Sequence, residues 1–215
     1  MELIAVENSR LLNLYLARRL SGQLYLPAAC EAFVERYSFS SFPQSIDEMA
    51  KEPISFAHGL FNGAAIESFD IYSDGVIISS KSSTDVLDNF LADLNAWSKS
   101  KLGLDRVETH TISRLYESHV MVRTDKNILK PLSQLAEMSK LLSAGVKKAS
   151  GQEVVFEPFG IALAPDSSKT VGLKPIAFRL ERKAGIEFPM HFYLSSAPLR
   201  TKDHIALLQR LDGLV

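Results

Sequence analysis

The chain of 215 residues contains one cysteine, Cys30, and no apolar run near the length of about 18 residues that a membrane-spanning helix needs. A single cysteine excludes a disulfide framework within the chain and any zinc or iron–sulfur site built on several cysteines. Acidic residues stand near the start, at Glu2 and Glu7, where a secretory signal peptide is basic, so we expect no such signal. The composition, 46% hydrophobic with a net charge of −1, predicts a folded, soluble, cytoplasmic protein without a membrane partner.

Several sequence signatures of catalysis and cofactor binding are also missing. There is no Gly-x-x-x-x-Gly-Lys or Gly-x-Gly-x-x-Gly loop, which disfavours binding of ATP, GTP or NAD, and no Gly-x-Ser-x-Gly turn that would expose a nucleophilic serine. Cys30 shares an apolar helical stripe with Phe33, the pattern of a small core residue. No two histidines are spaced as a local metal-binding pair; they are His58, His110, His119, His191 and His204. We therefore expect no resident cofactor.

Charge is balanced over the whole chain but not within its halves. Residues 1–119 contain 10 basic and 16 acidic residues, a net charge of −6, whereas residues 120–215 contain 14 and 9, a net charge of +5. This asymmetry could steer a charged partner to one end of the molecule, unless the two halves interleave in space and cancel. A pI near 6.5 and few aromatics among the basic residues give only weak support to nucleic-acid binding.

Helical spacing and strand-like alternation both occur, which predicts an α+β fold. We expect an antiparallel or mixed sheet with helices mainly on one face and a helical N-terminal segment. Capping residues predict four helices, capped by Asn8 or Ser9, by Ser45, by Thr84 and by Thr201. Pro27 indicates the first turn of another helix. A further helix is predicted from Pro131 to about Ser150, and its inward residues are Leu132, Leu135, Ala136, Leu142 and Val146.

Strands are predicted where aromatic and branched residues concentrate. They are expected at 54–61, 64–72 and 76–78, within 109–123, and at 154–164, 175–183 and 188–195. Asp74-Gly75 predicts a hairpin and Asn62-Gly63 a bend with positive φ. No linker clearly divides the chain, so we expect one domain over residues 1–215; a helical subdomain over residues 1–52 is the alternative.

One short pattern points to an enzyme. Pro165-Asp166 followed by Glu181-Arg182-Lys183 resembles the Pro-Asp and acid-x-lysine pairs of many metal-dependent nucleases. In such a site Asp166 and Glu181 would hold Mg²⁺ or Mn²⁺, which lowers the pKa of a bound water, and Lys183 would orient the nucleophile. The pattern is short, and the row Arg179, Glu181 and Lys183 is also typical of the wet face of a half-buried strand.

The feature that favours association is the concentration of aromatics in the predicted strands. They are Phe56, Phe61, Phe69, Phe156, Phe159, Phe178, Phe188, Phe192 and Tyr193. Aromatic residues dominate both cores and interfaces, and a sheet covered on one side leaves a second face and edges to be covered. No motif is specific enough to assign a family. The sequence therefore predicts, first, a non-enzymatic subunit or binding module that associates with a protein partner or with itself, and second, the nuclease.

Overall fold

The computed structural model describes residues 1–15, 26–102, 111–166, 168–169 and 172–215. Within these ranges the chain forms one eight-stranded sheet and five α-helices, which confirms the α+β class. Every strand pairing is antiparallel. The strands are β1 (Glu2–Tyr15), β2 (Ile54–Phe61), β3 (Ala64–Tyr72), β4 (Gly75–Ser80), β5 (Thr111–Arg123), β6 (Gly160–Leu163), β7 (Phe178–Arg182) and β8 (Phe192–Ala197). The helices are α1 (Leu26–Tyr37), α2 (Ile46–Met49), α3 (Thr84–Leu102), α4 (Ala136–Ser150) and α5 (Thr201–Gly213).

The predicted N-terminal helix is wrong for the part of it that the structure describes. Residues 2–15 form β1, which lies between β4 and β5 near the middle of the sheet. The predicted helical stripe consists of Leu11, Leu12, Tyr15, Leu16 and Leu20. Leu11 is fully buried and Leu12 half-buried, so these two residues of the stripe lie on opposite faces of a strand. Apolar residues on both faces imitate helical spacing over so short a segment. Leu16, Leu20 and Gly22, which completed the predicted helix, lie outside the described residues.

Both predicted hairpins form, but their glycines act differently. Asn62 and Gly63 join β2 to β3 with φ of 49° and 79°, the left-handed conformation that the sequence predicts. Between β3 and β4 the two turn residues are Ser73 and Asp74, and Gly75 already pairs with Tyr72. A Cβ at Gly75 would lie 2.5 Å from the backbone oxygen of Asn13. Gly75 is therefore required by the close approach of β1 and not by the turn.

The helices α1, α3 and α5 pack on one face of the sheet over two core clusters. The first cluster joins α1 and α3 to the strands around Leu11 and Phe69, and the second joins α5 to the strands around Val120 and Tyr193. The strand order is β2-β3-β4-β1-β5-β8-β7-β6. Residues before 119 thus build one end of the sheet and residues after 119 the other, with β5 at the border. The described strands of the acidic half and of the basic half therefore lie on opposite sides of the β1–β5 pairing, and the N-terminal end of β1 lies beside residues 120–123.

Two helix N-termini are joined by a reciprocal hydrogen-bond pair. The Thr84 N–H of α3 donates to Oγ1 of Thr201 at 3.0 Å, and the Thr201 N–H of α5 donates to Oγ1 of Thr84 at 2.9 Å. Both threonines are buried. Each hydroxyl therefore accepts a hydrogen bond from the first N–H of the other helix, which has no acceptor within that helix. The sequence predicts that Thr84 and Thr201 cap their own helices. Instead, each hydroxyl accepts from the other helix, and the N-cap residue of α5 is Arg200, which makes no side-chain cap hydrogen bond.

The last third of the chain departs most from the predicted elements. Residues 154–159 of the strand predicted for 154–164 form no strand, and residues 188–190 form a 3₁₀ turn. The helix predicted from Pro131 begins as a 3₁₀ helix over Lys130–Leu135 and becomes α-helical at Ala136. Its predicted inward residues Leu135 and Leu142 are 44% and 49% exposed. This helix does not cover the sheet, which corrects the expected packing.

Candidate interaction surface

Local signals favour a helix at both ends of α4. Glu137 stands in its first turn and Lys147 and Lys148 in its last, so the side-chain charges oppose the helix dipole at both ends. Gly151 ends the helix with φ of 71°, and its N–H donates to the Lys147 carbonyl oxygen at 2.9 Å. The 3₁₀ turn before α4 accommodates Pro131 near its start. The C-terminal end of the helix is therefore defined locally, whereas no side chain caps its N-terminal end.

The apolar side chains of α4 are not buried by the described part of the chain. Met138 is 59% exposed and Leu141 74%, and no α4 side chain is buried. An amphipathic helix in a globular protein normally turns its apolar stripe to the core. Here the 3₁₀ turn continues directly into the helix, and the stripe faces outward. The stripe consists of Leu135, Met138, Leu142, Gly145 and Ala149, spaced alternately by three and four residues.

The segment that follows α4 returns along a neighbouring side of the helix. The Phe156 N–H donates to Oγ of Ser143 at 3.2 Å, and Lys147 forms an ion pair with Glu153. This segment adds further exposed apolar side chains, with Val155 81% exposed. We call residues 130–159 the α4 arm. The return segment covers part of the helix but leaves the stripe open.

A buried arginine anchors the base of the α4 arm. Arg182 of β7 is 3% exposed and donates to the carbonyl oxygens of Pro158 at 3.1 Å and Phe188 at 3.0 Å, and to Oδ1 of Asn127 at 3.3 Å. Its guanidinium also lies 4.3 Å from the centre of the Phe188 ring. Arg182 alternates with Glu181 and therefore shares the buried face of β7 with Leu180. Strand parity could have predicted this from the sequence.

The structure separates the residues of the predicted nuclease site along the β6–β7 hairpin. Glu181 pairs with Gly160, while Leu163 pairs with Phe178 at the other end of the ladder, and Asp166 lies beyond that end. Lys183 follows β7, and its N–H donates to the Phe192 carbonyl oxygen. Among the described residues there is no group of three or more histidine, cysteine or acidic side chains placed to hold a metal ion. The nuclease stays a prediction.

Asp166 lies in a turn, as its serine-rich surroundings predict. It accepts hydrogen bonds from the Ser168 N–H at 3.0 Å and the Ser168 hydroxyl at 2.6 Å, and it forms an ion pair with Lys169 at 3.4 Å. The Ser168 hydroxyl is the main cause that lowers the pKa of Asp166. These local contacts stabilise its carboxylate within the turn.

The most perturbed histidine is one that the spacing rules do not single out. His204 of α5 is fully buried, with Nδ1 2.7 Å from the Ser118 hydroxyl and Nε2 2.8 Å from the Ser195 hydroxyl. Burial, assisted by His119, lowers the pKa of His204 to about 4. This serine–histidine–serine group has no solvent access and serves to join β5, β8 and α5. Its signal in the sequence is helical spacing with Leu208 and Leu211, which places His204 on the inward face.

Cys30 and the strand aromatics divide between core and surface. Cys30 is buried, which raises the pKa of its thiol, as expected for a small core residue. Phe56, Phe69 and Tyr193 are fully buried core residues, whereas Phe159 is 44% exposed.

Among the helices in the described ranges, none has both the length and the apolar character of a bilayer span. Compared with known proteins, the sequence matches no family model and no curated protein.

Proposed function

We propose that this protein is a non-enzymatic subunit that associates with another polypeptide through the apolar face of the α4 arm. The observation that carries the proposal is the exposure of Leu135, the last residue of the 3₁₀ turn, and of Met138 and Leu142 on α4. Water contact with this stripe is unfavourable, at about 25 cal/mol per Å² of apolar surface. Clustered exposed apolar residues in a folded protein are typical of interaction surfaces.

The anchoring of the α4 arm also supports this function. Arg182 ties the end of the arm to β7, because its side chain donates to the Pro158 carbonyl oxygen and its N–H to the Phe159 carbonyl oxygen, and Ser143 ties the return segment to the helix. A surface held in place before binding loses less conformational entropy when a partner covers it. We propose the cytoplasm as the location, because the only cysteine is buried and no disulfide within the chain is possible.

Substitution of one stripe residue tests the proposal. Leu142→Glu places a charge in the centre of the stripe, and Ala144→Glu makes the same change on an exposed residue outside it. In extracts of expressing cells, gel filtration should show the wild type and Ala144→Glu above the monomer mass and Leu142→Glu at the monomer mass. Because Leu142 is half exposed, far-UV circular dichroism should not change. A wild-type chain that elutes as a monomer would contradict the proposed function.

A further inference from the structure

The described chain contains the same arrangement of elements twice. Apart from α2 and the 3₁₀ turns, a first unit of β1, α1, β2, β3, β4 and α3 is followed by a second unit of β5, α4, β6, β7, β8 and α5. From its two edges to its centre, the sheet has the strand orders β2-β3-β4-β1 and β6-β7-β8-β5. A two-fold axis perpendicular to the sheet, between β1 and β5, therefore relates the two units.

The contacts near this axis show which residues correspond. Ser9 of β1 pairs with Ser118 of β5, and both serines are fully buried. Ser9 also pairs with Ser80 of β4, as Ser118 does with Ala197 of β8. Four residues after these partners stand the two threonines that begin α3 and α5 and exchange hydrogen bonds. The axis therefore passes between the two serines and between the two threonines.

Helix α4 corresponds to α1. Helix α1 begins at residue 26, 17 positions after Ser9, and α4 begins at residue 136, 18 positions after Ser118. With the offset of 109 residues between the serines, Phe33 of α1 corresponds to Leu142 in the stripe. Phe33 is buried, and its ring centre lies 5.5 Å from that of Phe56 in β2. The position that α1 buries against the sheet is thus one that α4 exposes.

We infer that α4 moves between the open position described above and a closed position on the second unit of the sheet, equivalent to the place of α1 on the first unit. In the closed position the stripe is buried within the monomer and is not available to a partner. This autoinhibitory contact regulates the proposed interaction surface, so the inference rests on the proposed function.

The sheet beneath the closed position has uncovered apolar side chains. In the first unit Ile66 of β3 is fully buried, and Phe39, which follows α1, lies against its strand partner Gly59. The equivalent inward-facing row of the second unit pairs Phe178 with Leu163. Phe178 is half-buried and Leu163 is 66% exposed, although both lie on the helix-covered face of the sheet. Closure of α4 would cover this row.

Both ends of the α4 arm are fixed, whereas the helix between them is not. Leu129 is buried in the second core cluster and Leu132 packs against that cluster, while Arg182 holds the Pro158 carbonyl oxygen at the other end. The 3₁₀ turn becomes α-helical at Ala136, and such a change within a helix often marks a hinge. Rotation at this junction can turn the stripe towards the sheet while both anchors stay in place.

Two serines explain why α4 opens whereas α1 stays packed. Ser139 corresponds to buried Cys30, and Ser143 corresponds to half-buried Val34. The closed position of α4 therefore buries less apolar surface than α1 does, and less apolar burial gives less stabilisation. In the open position the Ser143 hydroxyl accepts a hydrogen bond from the Phe156 N–H. These differences bring the open and closed positions closer in free energy.

Cross-linking within the purified full chain tests the closed position. Tyr37 of α1 packs against Phe90 of α3 with ring centres 4.8 Å apart, and the corresponding residues are Val146 and Leu207. A short bismaleimide should therefore join Val146→Cys to Leu207→Cys within one chain, and the native cysteine is buried. The matched control is Ala144→Cys with Leu207→Cys. It should react on the order of tenfold more slowly, because position 144 lies on another side of the helix and corresponds to an exposed position of α1.

A charge beneath the closed helix separates closure from association. Leu163→Glu should abolish the cross-link between positions 146 and 207, whereas Ala162→Glu, on the opposite face of β6, should not. Both positions are exposed, so far-UV circular dichroism should not change. Because apparent affinity scales with the open fraction, Leu163→Glu should also strengthen association in extracts, by roughly threefold when two thirds of the molecules are closed. Gel filtration of serially diluted extracts measures this shift.

The outcomes distinguish the closed position from the proposed function. Equal cross-linking from positions 144 and 146, or cross-linking that Leu163→Glu does not reduce, would overturn the closed position, while elution of the wild type in extracts would still decide the proposed function. Loss of the cross-link in Leu163→Glu without stronger association would overturn the autoinhibition. A wild type that cross-links as expected but is monomeric in extracts would support the closed position and contradict the proposed function.

Discussion

At the scale of single residues, His204 and Arg182 show how buried polar groups are accommodated beneath this sheet. Both imidazole nitrogens of His204 are within hydrogen-bond distance of serine hydroxyls, and the Arg182 side chain donates to four oxygens. A neutral imidazole has one donor and one acceptor nitrogen, and two rotatable hydroxyls can satisfy both. A protonated imidazole has two donors and a charge in a site with no water contact. Burial therefore selects the neutral form.

The preference of the buried site for the neutral imidazole of His204 predicts that the free energy of unfolding depends on pH. The pKa of His204 is about 4 in the folded protein against 6.5 for the ordinary side chain. Between these values the unfolded chain binds a proton that the folded chain does not. The free energy of unfolding therefore keeps its full value above pH 6.5 and decreases as the pH is lowered towards 4. At 1.36 kcal/mol per unit of pKa difference, this group contributes a decrease of about 2–3 kcal/mol.

Urea unfolding at pH 7.5 and pH 4.5 measures the effect. His204→Gln should be less stable than the wild type at pH 7.5 but should lose less stability at pH 4.5, because the titrating group is gone. The control is His58→Asn, at an exposed position of β2 where asparagine tolerates the φ of 55°. This variant should keep the pH dependence of the wild type. Equal pH dependence in His204→Gln and the wild type would contradict this assignment.

At the scale of elements, α3 and α5 stabilise each other at their N-termini. Thr84 and Thr201 are 117 residues apart in sequence, and each hydroxyl accepts the backbone N–H of the other. Near the same place, Arg200 forms an ion pair with Asp88 of α3 at 3.2 Å and lies over the Tyr116 ring. The two helices cover different core clusters. Their junction therefore connects the two halves of the molecule.

Replacing either threonine should destabilise the protein. Thr84→Val and Thr201→Val keep the shape of the side chain but leave one buried N–H of the other helix without an acceptor. Each should lower the free energy of unfolding by about 1–2 kcal/mol. Chemical denaturation measures the change, with Thr84→Ser and Thr201→Ser as controls that retain the hydroxyl. Valine variants no less stable than the serine variants would show that the hydrogen bonds contribute nothing.

At the scale of the whole molecule, one sheet connects two core clusters, and it contains strands from two parts of the chain that carry opposite net charge. Residues 1–119 carry a net charge of −6 and residues 120–215 one of +5, and the strands described for the two parts lie on opposite sides of the β1–β5 pairing. The long ladder of β1 and β5 runs from Glu2–Arg123 to Tyr15–Thr111 and crosses the border between the cores. Met1 also reaches Asp212 of α5 at 3.2 Å. The N-terminal strand therefore belongs to both halves.

This arrangement predicts one cooperative unfolding transition. Trp97 packs against the first core cluster, so its fluorescence reports on that half, while far-UV circular dichroism reports on both. The two signals should give the same urea midpoint. A chain shortened to residues 53–215 lacks β1 and should not fold, in contrast to the alternative of a separable subdomain over residues 1–52. Two separate transitions, or a folded 53–215 chain, would contradict a single domain.

The accuracy of the sequence predictions follows the range of the interactions involved. Helix α3, the β2–β3–β4 hairpins and the C-terminal stop of α4 depend on residues a few positions apart, and all were predicted. Strand β1 was mistaken for a helix because Leu11 and Leu12 occupy opposite faces of one strand. Leu135 and Leu142 of the outward stripe were predicted to face inward, since amphipathic spacing shows that a helix has an apolar face but not what covers it.

The sequence by itself determined the local structure: where most helices and turns begin and end, which residues alternate along a strand, and that the chain buries its single cysteine. Local hydrogen bonds, side-chain size and backbone sterics act over a few residues and are visible in one dimension. Only the tertiary structure decided the strand order, the burial of His204 and Arg182, the exchange of hydroxyls between Thr84 and Thr201, and the exposure of α4. These features depend on groups far apart in the chain, whose proximity is created by folding.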